Sequence, residues 1–423
     1  MKKRNKMLTF LLAACMIFPQ LAGCRNSGSP ASSSAPASSA PAVSSGAAAQ
    51  KEPVTITIWD EAEDGIVKPL QAELNKLAPD VTVKFQRKQN MSDALKLVGN
   101  DPSSAPDMFL WAHDKTGTFA QMGILAPVTD FIAESELGDL IPMTVKASTY
   151  QGKIYQLPVY FETQLLLYNK KLMKSVPATT DDWLAYMKAN TKNGTYALAE
   201  QHSTAYYAAA WMHAFGATII DENGQPQLNA QAMKDAVAYH KQFVAYEPAD
   251  GEYNTDTALF LAGKAQAIIQ GPWFVPSVKN AGIDYGVAAL PTVGKTGKPL
   301  MPYSGVQGVF VLKNSADTKK DAVTAVLRQL LKPEVGIFLA DAAGEAPANN
   351  KCYDDSTVSG NADLMNMKRT AETAVPMQNL PEMDVMWTVT ENALSAIDKN
   401  NKDVGAQLED AQKKALDGIA AMK

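Results

Sequence analysis

The alternation over residues 54–111 constrains this chain most. Val54-Thr55-Ile56-Thr57-Ile58-Trp59 alternates β-branched and apolar residues and predicts a strand. Ile66, Leu70, Leu74 and Leu77 recur at helical spacing before Pro79, which predicts a helix over 66–78. Val81-Thr82-Val83-Lys84-Phe85 predicts a second strand, and residues 91–99 a short helix closing at Gly99. Met108 to Trp111, bounded by Pro106, predicts a third strand. Strand–helix–strand–helix–strand implies a doubly wound α/β start with a mostly parallel sheet. In such sheets ligands sit beyond the carboxyl ends of the strands. The exit of the third strand, Trp111-Ala112-His113-Asp114-Lys115, is therefore the first candidate site. It offers an aromatic plate, a carboxylate and an ammonium. A sugar ring uses that mixture, stacking its C–H face on the ring and presenting its hydroxyl rim to charged partners. The same residues also read as a core Trp followed by a solvated turn, and the stretch alone does not choose.

Further along, Lys153–Val159 and Leu165–Tyr168 predict strands, and the crossing Tyr160-Phe161-Glu162-Thr163 between them is a candidate hinge. Residues 181–190 predict a helix with Thr179 and Asp182 in a capping-box-like relation. Its Trp183 and Met187 share one face, so Trp183 is expected in the core. Helices are also expected over 204–215 and 231–246, and from Ala258 to Leu261 ahead of Gly263. Strands are expected over 265–270, 285–290 and 306–312. The remainder reads as helical, apart from a loop over 341–362. Trp111, Tyr206, Tyr207, Trp273 and Trp387 all sit where an element meets a loop. Each singly fits a core position, and Trp273, exposed by Gly271-Pro272, makes the strongest case for a site.

The chain has 423 residues, 46% hydrophobic and 20% charged, an ordinary globular composition long enough for two domains. Lys2, Lys3, Arg4 and Lys6 precede an apolar stretch and Leu21-Ala22-Gly23-Cys24, which resembles a bacterial lipobox. Residues 1–23 are expected to be a signal peptide, with Cys24 carrying a lipid. Leu12-Ala13-Ala14-Cys15 has the same form, but processing there leaves Met16-Ile17-Phe18 on the mature end. The apolar run falls short of the ~20 residues a span needs and is broken by Pro19. Residues 24–50, rich in Ser, Ala and Pro, predict a flexible tether that holds a domain off a membrane. Its length points to a Gram-positive wall. Losing four positive charges takes the formal net charge from −5 to −9, which disfavours nucleic acid as a partner. Only Cys352 then remains as a thiol, so no internal disulfide is expected.

Trp111-Ala112-His113-Asp114, Tyr168-Asn169-Lys170, Gly271-Pro272-Trp273, Tyr285-Gly286-Val287 with Leu290-Pro291, and Asn379-Leu380-Pro381-Glu382-Met383 with Trp387 occur in one order. In that order and spacing they resemble the maltose/maltodextrin-binding proteins over residues 53–423. The resemblance implies a two-lobed periplasmic-binding-protein fold with discontinuous lobes and a hinge. Residues 51–160 with 307–362 would form one lobe, and 161–306 with 363–423 the other. It implies capture of malto-oligosaccharides for the membrane permease subunits of an ABC importer, by hinge closure. No cofactor is implied, and a monomer is expected. By matching position, Trp111, Asp114 and Lys115 would contact sugar from the first lobe, and Glu162 would be the cleft carboxylate. Tyr206, Trp273 and Trp387 would be stacking platforms, with Tyr207 a neighbour. Lys115 replaces a frequent Arg, exchanging a guanidinium fork for a point donor. Glu61, Glu63 and Asp64 stand where the pattern has Asn and an Asp-Lys pair. Thr204 stands for a second cleft Glu, and Thr388 for a Tyr.

Three other readings compete, one of them a sensor subunit that presents its closed lobes to a receptor kinase. The same fold binds other oligosaccharides. A secreted glycosidase needs two carboxylates flanking a bond, and Asp114 and Glu162 are available for that role. No Ser-His-Asp elbow or H-E-x-x-H pattern appears, and His113, His202, His213 and His240 show no metal spacing, so neither catalysis nor a metal is expected.

Overall fold

The computed structural model describes residues 52–62 and 64–422, which belong to one unit, Lys51–Lys423. The expected signal peptide, Cys24, the tether and Glu63 lie outside the described residues. The first three strands form as their patterns require. β1 (Val54–Asp60) pairs in parallel with β2 (Val81–Arg87) and β3 (Met108–Ala112). β1 therefore lies between them, the order of a doubly wound start. Ile56, Ile58, Met108 and Leu110 are buried in one core with Leu70 and Leu74 of the intervening helix. That helix runs Asp64–Leu74 and closes in a tighter turn, Asn75–Leu77.

The sheet departs from the mostly parallel expectation after β3. β4 (Gln156–Thr163) and β9 (Tyr303–Leu312) are its next long members, and β9 runs antiparallel to both β3 and β4. The large sheet is therefore mixed. The chain leaves at the end of β4 and re-enters at that same end, where Ser304 pairs with Thr163, so β9 runs back against its neighbours. The second sheet has the order β8–β5–β7–β6, with β5 (Leu165–Asn169), β6 (Tyr196–Ala199), β7 (Ala265–Gln270) and β8 (Tyr285–Ala288).

The expected hinge residues 160–163 lie within β4, and the chain passes to β5 at Gln164. It returns through β9 and leaves again after Val375–Pro376, which pairs with the start of β9. These three passages make an α/β fold of two lobes, each assembled from separate stretches of chain. Trp183 is 2% exposed, in the core of the second half. The helix Thr180–Asn190 is capped as expected, Thr179 Oγ1 accepting from the Asp182 amide at 3.2 Å. The segment expected as a loop over 341–362 is largely ordered. A helix runs to Ala343, Ala346–Pro347 pairs with β4, and Ser356–Ser359 is a short helix. Short runs of two to five residues carry too little periodicity to be read locally.

Candidate functional site

A cavity of about 290 Å³ opens where the two halves meet, lined by Glu61, Trp111, Tyr160, Glu162, Trp273 and Gln307 among others. Glu61 follows the carboxyl end of β1, Trp111 lies near that of β3, and Glu162 near that of β4. Trp273 arrives from the other sheet, in the turn Pro272–Phe274 directly after β7. Gly271 is required beside it, since a Cβ there would collide with the Trp273 ring. The two indoles thus approach one space from opposite walls. Glu61 uses Oε1 to accept the Met91 amide at 2.5 Å, so it also caps a helix start.

Glu162 is the acidic centre of this wall. Gln307 Nε2 donates to its Oε1 at 2.8 Å, and burial pushes its carboxyl up to about 7. The ladder pairs Ala346 with Phe161, so Glu345 stands opposite Glu162 one step further along. Glu345 is fully buried, and neither of its oxygens has a hydrogen-bond partner among the described residues. Burial, then the Glu162 charge, push its carboxyl well up. Two opposed carboxylates without a cation cannot both ionise cheaply, so this pair holds a proton near neutrality. The Tyr206 hydroxyl is buried and unpartnered, and its ring lies 6.4 Å from Trp273 and 6.3 Å from Tyr303. Burial, followed by Glu162 and Glu345, raises its phenol. Aromatic plates beside proton-bearing acceptors suit a neutral polyhydroxylated ligand.

Other expected residues lie around this cavity without lining it. Asp114 is buried, and Lys115 Nζ stands 3.4 Å from its Oδ2 and 2.6 Å from Asp384 Oδ1. Against the burial that opposes it, these two carboxylates hold the ammonium above its ordinary range. Trp387 is half-buried and meets Tyr303 edge-on at 5.7 Å. Tyr207 is a core residue whose hydroxyl donates to Gln270 Oε1. Asp64 is exposed and pairs with Lys68 at 3.1 Å and Arg87 at 3.2 Å, so its partners are structural.

Gln307, Glu345 and Asp384 were not singled out by sequence, and Tyr160 only as part of the candidate hinge. Gln307 left one signal, a lone amide inside the apolar run Val306–Leu312. Glu345 and Asp384 left none, because their partners lie more than a hundred residues away.

The relatives agree with this geometry. The chain is 31% identical over 373 residues to a maltotriose-binding protein of Pyrococcus abyssi, covering 85% of this chain and 82% of that protein. It is 25% identical over 388 residues to a maltooligosaccharide ABC transporter solute-binding lipoprotein of Streptococcus pneumoniae, covering 87% and 88%. Among solved structures, a cyclo/maltodextrin-binding protein complexed with maltotetraose superposes with a TM-score of 0.77 at 28% identity, over 89% of this chain and all of that one. The bacterial extracellular solute-binding protein family model matches residues 59–337. With two lobes, three passages between them and a cavity walled by both, this chain belongs to that family of bacterial extracellular solute-binding proteins.

Proposed function

We propose that the chain captures malto-oligosaccharides in the cavity between its lobes and presents them to the membrane subunits of an ABC importer. One observation carries the reading: Trp111 and Trp273 line a single cavity from strand ends of two different sheets, with Glu162 and Glu61 in the same lining. Sugar first stacks on the Trp273 side, where Tyr206 and Trp387 stand near. Closure about the three passages then brings Trp111, Asp114 and Lys115 to the other face. Only a ligand touching both walls shifts the open–closed balance, so an uncharged oligosaccharide is both cargo and signal. The lobes divide as 51–160 with 307–362 and 161–306 with 363–423. The chain acts as a monomer without catalysis. Its lipobox-like Cys24 anchors it to the outer face of the cell membrane by lipid alone, with residues 24–50 as tether.

Thermal denaturation with a panel of sugars at about 1 mM tests this. Maltose, maltotriose, maltotetraose, cellotetraose, xylotetraose and galactotriose separate the linkages. A ligand at about 100 times its dissociation constant adds about 2.7 kcal/mol of stability. Stabilisation by the malto-series is expected. Stabilisation by another series alone defeats the assignment of the ligand, and shortened products after incubation with maltoheptaose defeat the assignment as a binder.

A further inference from the structure

Asp384 opens the helix Met383–Asp398, which carries Trp387 one turn further along and packs against the helix Val404–Ala420 in the second half. Its Oδ1 accepts from Lys115 Nζ at 2.6 Å and its Oδ2 from Lys96 Nζ at 2.9 Å. Thr118 Oγ1 lies 3.5 Å from the same Oδ2, and Lys115 also reaches Asp114. Lys96 lies on the helix Met91–Val98 and Lys115 in the turn after β3, both in the half built on the large sheet. One carboxylate therefore grips two ammonium groups across the junction of the halves. The side chains of Lys115, Asp384 and Lys96 are 14%, 19% and 36% exposed, shielded enough to interact and open enough for salt to reach. Against the burial that opposes it, Lys115 and then Lys96 hold the Asp384 carboxyl below its ordinary range.

The neighbouring contacts across the same junction are neutral. Gly117 N donates to Asn379 O at 2.9 Å, and His113 Nε2 donates to Met377 O at 2.9 Å. Asn379 Nδ2 donates to the carbonyls of Ala147 and Thr149 at 2.8 Å. Salt leaves these in place, so the ion bridge is the salt-sensitive part of the junction.

We infer that Asp384 is a positioning residue for the ligand cleft. Its bridge to Lys96 and Lys115 holds the helix bearing Trp387 against the first half, in the arrangement where both walls face one cavity. This rests on the malto-oligosaccharide reading. The consequence is that capture of an uncharged sugar depends on ionic strength. Apparent affinity falls with the fraction of molecules whose walls are held ready. Screening at about 1 M salt, with a Debye length of about 3 Å, weakens the bridge.

Calorimetric titration of maltotriose at about 0.05 M and about 1 M sodium chloride tests it. Wild type is expected to bind roughly three- to tenfold more weakly at high salt. D384N is expected to start at that weaker value and stay there. Lys96 is not among the residues that line the cavity, and K96Q is expected to lose part of the salt response. Salt-independent binding by wild type, or an undiminished salt response in D384N, overturns the inference. If wild type binds none of the sugars, the malto-oligosaccharide reading has failed instead. X-ray scattering of the sugar-free protein then decides: a larger radius of gyration in D384N supports the bridge, and an unchanged one rejects it.

Discussion

The raised Glu162 carboxyl gives the sharpest prediction, because it drives two observables in opposite directions. Free Glu162 is held near neutrality by burial, from 4.5 to about 7, with only Gln307 supporting its ionised form. Tyr160, Tyr206, Tyr207 and Glu345 are the other titratable groups that feel its charge, and no cation acts on it among the described residues. The folded state thus binds this proton more tightly than the unfolded chain, so its stability contribution is lost as pH rises between 4.5 and about 7. The full effect is roughly 3 kcal/mol, at about 1.36 kcal/mol per tenfold change. A sugar hydroxyl donating to ionised Glu162 replaces the water that burial removed and draws its carboxyl back toward the ordinary range. Maltotriose affinity is then expected to rise with pH over this window, by up to about tenfold per pH unit, and level off above it. Calorimetry in two buffers of different ionisation enthalpy should detect about one proton released near pH 6. E162Q should flatten both the melting and the affinity profiles. An affinity constant across the window, with no proton released, would refute the idea that sugar engages ionised Glu162.

Other expectations follow from particular contacts. W273A should weaken maltotriose binding by roughly 10- to 100-fold, as loss of one stacking plate implies, while the melting temperature stays near wild type. G271A should do much the same while keeping the indole, since its Cβ would push the Trp273 ring aside; calorimetry of both variants checks this. Y207F should lower stability by about 1 kcal/mol, read by denaturant unfolding, and leave affinity alone, because the Tyr207 hydroxyl is spent on Gln270. Glu247 and Asp256 are buried with unpartnered oxygens; burial and then neighbouring carboxylates raise both, Asp256 from 3.8 to about 8. Stability that Asp256 contributes is lost as pH climbs from 3.8 to about 8, so D256N should raise the melting temperature at pH 8 and change it little at pH 5.

The elements that local pattern could reach were legible in the chain. β1, β2 and β3 announced themselves by β-branched alternation and short apolar runs, and their parallel order followed from the helices between them. Gly271-Pro272 marked Trp273 as a candidate, and the fold places it in the lining of the cavity. The sequence of motifs, more than any one, carried the family resemblance. Tyr207 and Trp387 show where local reading stops. Both are aromatic residues near helix starts, and only packing separates the core phenol that bonds Gln270 from the half-buried indole against Tyr303. Lys115, expected from the sequence to contact sugar or to lie in a solvated turn, is bound to Asp384, 269 residues away.

Periodicity and breakers act within a few residues, so the chain by itself determined its strands, helices, acidic balance and lipobox-like start. The return of β9 between β3 and β4 turned the sheet from parallel to mixed, and no local signal specifies that direction. The same return set Gln307 against Glu162, while pairing of Ala346–Pro347 with β4 set Glu345 opposite it. Those neighbours, and the solvent they exclude, decide the charge on the cleft carboxylate. Desolvation and pairing are properties of the space around a side chain, and that space is made by segments the sequence keeps far apart.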